Sequence, residues 1–525
     1  MVSGRRSYFD LYSGALKTLN LIDLNFPGYH FYDLNVRLCH AFSEKDKIFL
    51  SFYSGKDKIL YENKNALAIS TFETFSESTD ETSGWGNTIG SLRWNHTFRN
   101  LFVNSTIAIS NYNYYILSNY NSIRRDTVYK DSFDENYSAD YRSKISDLII
   151  KTDFDYLISN NHKLTFGVGN TIHTYNPGSN IYSMKSLLLD IKIDTAYSNT
   201  ILHNNEPYIY FEDEMKLNQK LLLTAGLRFS GSFQGKNIRI NAEPRLSANY
   251  QISSQFVIKV GYSRMVQYLH LLSTSGLSMP TDIWVPALKG LQPLKSDQIN
   301  SGISYHYENL PLISIEFYKK WLINTTDLRN GASLLSDLSP WYEKTTQGHG
   351  NAEGIEVVIL KQEGRITGSI NYTYAKADRN YSDLNNGKTF PFRYDRRHDL
   401  NISLNYQISK KWDISVLWWY GTGYPVTIPV EKYQPLLNLV TTVQHNLMYY
   451  YPSINNYRLP PYHRLDIALH YKITKKNTEQ EISLDIFNVY NHKNPVYMYY
   501  LLNYSFEYVY LFPIIPSITY TIRFI

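Results

Sequence analysis

The residue groupings that could carry catalysis are scarce. None of the 14 histidines precedes a glutamate, so the H-E-x-x-H zinc pattern is absent, as are G-x-S-x-G and G-x-G-x-x-G. Gly387-Lys388-Thr389 has the end of a phosphate loop, but Ser382 stands where its first glycine belongs. That stretch reads as a polar loop tip. The single cysteine, Cys39, excludes a disulfide framework, a CxxC redox pair and any multi-cysteine zinc or iron–sulfur centre. It reads as a small residue on a strand over 29–41. The expectation is a protein that is not an enzyme, with no catalytic residues, cofactor or metal.

Two further groupings could bind something. Asp131-Ser132-Phe133-Asp134-Glu135-Asn136 offers the oxygen ligands calcium prefers, without a defined loop spacing, and reads as a solvated acidic loop. Aromatic rings cluster in long polar stretches at Trp284, Trp341, Tyr342, Tyr424 and Tyr449 to Tyr451. Such rings stack on sugars, siderophores or hydrophobic cofactors, and equally well form an interfacial belt or pack loops together. The ligand-binding residues stay unassigned on sequence alone.

The elements that must position these groups are strands. From Asp399 to Ile408, Leu400, Ile402, Leu404, Tyr406 and Ile408 alternate with Asp399, Asn401, Ser403, Asn405 and Gln407. Arg464 to Ile473 repeats the pattern with Leu465, Ile467, Leu469, Tyr471 and Ile473, and Ile366 to Tyr374 repeats it again. Short polar connections recur at Ser43 to Asp46, Arg99-Asn100, Asn218-Gln219, Ser253-Ser254, Glu308 to Pro311, Glu363-Gly364, Ser409-Lys410 and Lys475 to Thr478. Between them lie long ones: Leu60 to Ser83, Asn119 to Asn136, Asn176 to Asn205, His270 to Lys295, Asp327 to Gly348, Arg379 to Tyr394 and Pro425 to Pro460. Strict alternation of short and long connections predicts a barrel with tight turns at one rim and elaborated loops at the other.

Composition agrees with an all-β, transmembrane antiparallel barrel. Tyrosine supplies 48 of 525 residues, a usage that two aromatic girdles would consume. The longest unbroken apolar run, Val496 to Leu502, is far too short for a spanning helix. Lys+Arg 52 against Asp+Glu 47 leaves +5, too little to argue for nucleic acid as a partner. A soluble sandwich or propeller also alternates, but the polar faces here are almost wholly Asn, Ser, Thr, Asp and Gln, as a wet lumen requires, and no blade-length repeat appears. The count is about twenty strands, from Val2–Tyr12 to Ser517–Phe524. In the last, Ile518, Tyr520, Ile522 and Phe524 alternate with Thr519, Thr521 and Arg523, which places Arg523 in the lumen.

Six segments follow in order along the chain: Ala242-Glu243-Pro244-Arg245, Gly350-Asn351-Ala352-Glu353-Gly354-Ile355-Glu356, Phe392-Arg393-Tyr394-Asp395-Arg396-Arg397-His398, Leu459-Pro460-Pro461-Tyr462-His463-Arg464-Leu465-Asp466, Asp485-Ile486-Phe487-Asn488-Val489-Tyr490-Asn491 and Pro516-Ser517-Ile518-Thr519-Tyr520. Together they resemble the barrel of TonB-dependent outer-membrane receptors of the Bacteroidota type. The opening Val2-Ser3-Gly4-Arg5-Arg6-Ser7-Tyr8-Phe9-Asp10 is similar to a point inside that barrel.

The resemblance implies one barrel domain over 1–525, with about twenty strands of a family barrel of roughly 22. The signal peptide, the plug and the first two strands are expected to be absent, so the two outermost strands would carry unpaired edges. It implies residence in the outer membrane, with outer-membrane lipid and the barrel assembly machinery as partners, and TonB only if a plug is supplied. The implied function is import of a large scarce nutrient of the siderophore, vitamin, oligosaccharide or peptide class. The alternatives are a passive porin-like channel and a non-functional or split receptor fragment needing a plug in trans.

Overall fold

The structure is a computed structural model that describes residues 1–7, 28–70, 73–126, 132–186, 191–198, 201–272, 283–308, 310–332, 339–433, 448–475, 477–500, 506–510 and 512–524. Its main sheet has 22 strands, of which Ile191–Ser198 and Phe390–Pro391 are short additions beside longer neighbours. The other twenty form the wall. They are β1 (Val2–Arg6), β2 (Gly28–Ala41), β3 (Asp46–Ser70), β4 (Glu73–Phe98), β5 (Leu101–Asp126), β6 (Ser132–Ser159), β7 (His162–Ser186), β8 (Leu202–Lys216), β9 (Leu221–Gln234) and β10 (Asn237–Gln251). The second half comprises β11 (Phe256–Gln267), β12 (Leu294–Tyr305), β13 (Leu312–Leu328), β14 (Thr345–Lys361), β15 (Ile366–Asn380), β16 (His398–Gln407), β17 (Trp412–Gly421), β18 (Tyr462–Lys475), β19 (Thr478–Phe487) and β20 (Ile515–Phe524).

Each wall strand pairs antiparallel with the next, so the wall is an up-and-down meander. Among the described residues, β1 pairs only with β2 and β20 only with β19. Every strand between them has a hydrogen-bonded neighbour on both sides, the condition for strands to cross a bilayer.

Register places the expected faces as the alternation predicts. Leu400, Ile402, Leu404 and Tyr406 of β16 stand opposite Tyr420, Trp418, Val416 and Ile414 of β17, and Val416 and Ile414 face Ile467 and Leu469 of β18. These side chains form an outward apolar band that continues round the wall through Ile107 and Ile109, 51% and 55% exposed, Phe211 and Phe317. So extensive an exposed apolar face is foreign to a water-soluble monomer. It matches the lipid-facing band of a membrane barrel, and among the described residues no helix is long and apolar enough to cross a membrane. Aromatic pairs mark the rim nearer the tight turns: Phe256 lies 4.8 Å from Tyr305, and Trp412 lies 4.6 Å from Tyr471. Tyr262, Trp321, Tyr374 and Tyr420 stand on the same outer face nearer the long loops.

The opposite face is polar. Ser415 donates to Asn405 at 3.1 Å, Tyr210 to Asp153 at 3.0 Å and Thr165 to Asp155 at 2.8 Å. Arg523 faces inward and pairs with Glu479 at 3.3 Å, as the alternation of β20 requires. Cys39 is an exposed thiol on β2, opposite Phe49.

Two kinds of expectation are corrected. The stretches Leu60 to Ser83 and Asn119 to Asn136 are not loops for most of their length. β3 and β4 stay paired up to Ser70 and Glu73, and β5 and β6 up to Arg125 and Ser132. Beyond the lipid both faces of a hairpin are wet, so the ladder continues after the period-two hydrophobic signal has stopped. β7 extends in the same way to Ser186. Alternation of connections is also not strict. On the long-loop rim, β9 and β10 join through a tight turn at Gln234–Asn237, with Gly235 at φ +55° supplying the left-handed backbone. A tight turn at Asn160-Asn161, between β6 and β7, completes the opposite rim.

Candidate functional site: the outer mouth of the lumen

The loop joining β11 and β12 turns into the barrel. Its strands Leu269–Leu272 and Ile283–Pro286 pair as a hairpin, with His270 opposite Val285. Leu272, Ile283 and Val285 are almost fully buried in a cluster with Tyr114 of β5, Tyr141 and Ile145 of β6, Tyr175 of β7 and Trp341 of the β13–β14 loop. Polar ties fix the stem. Arg239 of β10 donates to the carbonyls of Ala287 and Leu291 at 2.6 and 2.8 Å, and Gln347 of β14 bonds both the N–H and the carbonyl of Gln292 at 2.9 Å.

His270 ties the hairpin to its own stem and to the wall. Its Nε2 donates to the carbonyl of Gln292 at 2.9 Å, and its Nδ1 accepts from the Thr326 hydroxyl at 3.0 Å, a set that suits the neutral ring. Burial pushes its pKa down from 6.5 to about 4.

Two cavities lie against the hairpin. One, of about 330 Å³, is bounded by His270, Trp284, Asp327, Arg379, Phe392 and Arg393. Arg379 stacks over Phe392 at 3.8 Å, and Arg393 reaches Asp327 at 3.4 Å. The other, of about 690 Å³, opens on the lumen wall below. There His173 is held between Asp147 at 2.7 Å and Glu206 at 3.3 Å, and Arg228 lies 3.9 Å over the Tyr208 ring. Arg245 and Lys320 also line it, and among the described residues neither forms an ion pair. Guanidinium groups, aromatic faces and cations without a carboxylate partner, Lys320 lying 5.4 Å over the Tyr318 ring, can hold a polar, anion-bearing ligand.

Beside the first cavity the β15–β16 loop (381–397) and the described parts of the β17–β18 loop (422–433 and 448–461) lock together. Asp395, fully buried, receives Arg458 and Arg397, the latter at 3.2 Å, and accepts from the Ala377 N–H at 2.7 Å. Asn455 and Ile454 of one loop bond Pro391 and Asn385 of the other at 2.8 and 3.0 Å. The β18 and β19 motifs meet similarly, where fully buried Asn488 donates its N–H to Asp466 at 2.9 Å. Asn488 and Asn491 have φ of 53° and 52°, a conformation asparagine tolerates better than most residues.

A scan of family models matches residues 42–491 to the TonB dependent receptor-like β-barrel. The chain belongs to that family. The receptor barrel is therefore an outer-membrane transport protein of the receptor type. Its structure resembles the ferric-catecholate import receptor Fiu of Escherichia coli K12 (12% identity, 89% of this chain and 76% of that one, TM-score 0.54). It also resembles the Pseudomonas aeruginosa ferripyoverdine receptor bound to ferripyoverdine (10%, 95% and 68%, 0.57) and the E. coli outer membrane transporter YddB (10%, 94% and 75%, 0.54). At such identity the likeness is one of fold. No curated protein sequence matches the chain.

The aromatic residues singled out in the sequence do not gather in one place. Trp341 is buried in the hairpin cluster, with Trp284 and Tyr342 packed partly against it; Trp284 alone among them also faces a cavity. Tyr424 lies apart from that cluster, 4.4 Å beneath the Arg396 guanidinium, and Tyr449 to Tyr451 are exposed. In the acidic stretch, Asp131 lies outside the described residues and Ser132 to Asn136 are extended strand paired with β5, a backbone that does not wrap a cation. Among the described residues no group of three His, Cys, Asp or Glu is placed to hold a metal. Gly387-Lys388-Thr389 is an exposed turn, with Gly387 O accepting from Asn380 at 2.8 Å.

The cavity arginines Arg379 and Arg393 were not foreseen as site residues. Arg393 lies in a segment noted only for its family resemblance, and no local spacing distinguishes a lumen-facing arginine from an outward one near a loop.

Proposed function

We propose that residues 1–525 form the barrel of a TonB-dependent importer that captures a large scarce nutrient at its outer mouth, within the siderophore, vitamin, oligosaccharide or peptide class. TonB is then its energy-coupling partner through a plug. The observation that carries this reading is the mouth itself. Loops pack inward and latch to one another above a polar wall with two recesses, which suits retention of a ligand better than free diffusion. Arg245 and Lys320, neither in an ion pair among the described residues, with stacked Arg379, favour an anion-bearing member of that class. The structural likeness to ferric-siderophore receptors supports placing siderophores first among the candidates to be tried. In the source cell, deletion of the gene should slow growth when one such nutrient is limiting, and restoration of the complete gene should rescue it. Unchanged growth on every class would defeat the proposal.

A further inference from the structure

The register of β3 to β8 resolves the outer face into horizontal rows. Phe52, Gly90, Ile109, Leu148 and Ile172 form the last apolar row. The row above, Ser54, Thr88, Asn111, Ser146, Thr174 and His203, is wholly polar. Its members bond sideways, Ser54 with Thr88 at 3.2 Å, Ser146 to Asn111 at 2.8 Å and Thr174 with His203 at 3.1 Å. So abrupt a switch on the five successive strands β3 to β7, with Asn205 already polar on β8, marks the edge of the hydrocarbon layer.

The next two rows are basic. One holds Lys56, Gly86, Asn113 and Lys144; the other holds His30, Lys58, Gly84, Tyr115 and Arg142. No acidic side chain stands in either. The first is Asp140, one row higher, pairing with Arg142 at 2.9 Å, and Glu62 and Asp80 face each other above that. Among the described residues Lys56, Lys58 and Lys144 have no carboxylate partner. Between the flanking cations the floor is low. The Tyr115 ring lies where a Cβ on Gly84 would be, 2.5 Å from it, and the Lys56 stem crosses Gly86. Each row rises about 5 Å along a tilted strand, and lysine stems bend toward the interface, so these ammonium groups reach the headgroup layer. Lys56 and Lys144 are three strands apart, about 14 Å.

We propose that this patch is a docking site for the phosphate groups of an outer-leaflet lipid, the two lysines of β3 and Lys144 of β6 holding phosphates on either side of Tyr115. The site lies on the lipid face and is independent of what the lumen carries.

The test uses the full chain, purified in mild detergent and incubated with bisphosphorylated lipid A or with its dephosphorylated form, retained lipid being counted by native mass spectrometry. The chain should retain the phosphorylated lipid at least tenfold better, and K56E/K58E/K144E should remove that preference. K56Q/K58Q/K144Q should weaken it in the same direction with less perturbation of assembly. K45E/K220E/K410E, which reverses three turn lysines at the opposite rim, should leave it unchanged. Equal retention of both lipids, equal loss in the opposite-rim variant, or full retention by the glutamine variant would overturn the assignment.

Discussion

The inward hairpin should loosen on acidification through His270. In the docked state its pKa is about 4 against 6.5 for the free ring. A group with a lowered folded pKa that is cationic when protonated stabilises fully only above the free value, and that stabilisation drains away as pH falls from 6.5 toward 4. Between pH 7.5 and pH 5 the shift weakens docking by about 2 kcal/mol, roughly a thirtyfold rise in the open fraction. Physically, protonation turns the Thr326 acceptor on Nδ1 into a donor and places a charge beside Leu269–Leu272, in a cavity also bounded by Asp327, Arg379 and Arg393. Amide hydrogen exchange at Leu269–Leu272 and Ile283–Ala287, corrected for the intrinsic pH dependence, measures that fraction directly. His270→Gln keeps a donor and an acceptor but does not titrate, so its protection should be nearly flat over the same range. An unchanged open fraction in the parent chain, or the same slope in the glutamine variant, would refute the reasoning.

Other outcomes follow from the same geometry. Leu272→Ala removes a fully buried side chain from the hairpin cluster and should cost about 2–4 kcal/mol of docking, read as faster exchange in the partner strand with the barrel still resistant to unfolding in SDS. Asp395→Asn leaves Arg458 and Arg397 facing each other without a carboxylate. Both arginines are partly solvated, so the cost should be about 2–3 kcal/mol, read as faster tryptic cleavage after Arg458. Ile402→Lys puts a charge in lipid and should cost about 2–4 kcal/mol with a lower yield of assembled barrel, whereas Ser403→Lys, on the lumen face of the same strand, should assemble normally.

The wall was legible because lipid on one side and water on the other impose period two, so windows such as Asp399 to Ile408 disclosed both the strand and its faces. The same rule explains where reading failed. At Asn119 or Glu62 both faces are wet, and polar residues that looked like loop are paired strand. The family motifs were visible as strings, but their work was not. Asp466 and Asn488, or Asp395 and Arg458, are brought together only by strand order, and burial rather than spacing makes them latches. The mouth was the least legible part. Whether Trp341 meets a ligand or a neighbouring loop depends on which way the chain turns at the rim, and here it turns inward.

The central claim, that this barrel belongs to an energised importer, is tested most directly by uptake of labelled ligand into cells carrying the complete gene. The ligand is first chosen by the growth experiment, and uptake is measured with and without a protonophore. The account predicts accumulation that needs the gene and collapses when the proton gradient is dissipated. Gene-dependent uptake that persists unchanged without the gradient would mean a passive channel and would contradict it.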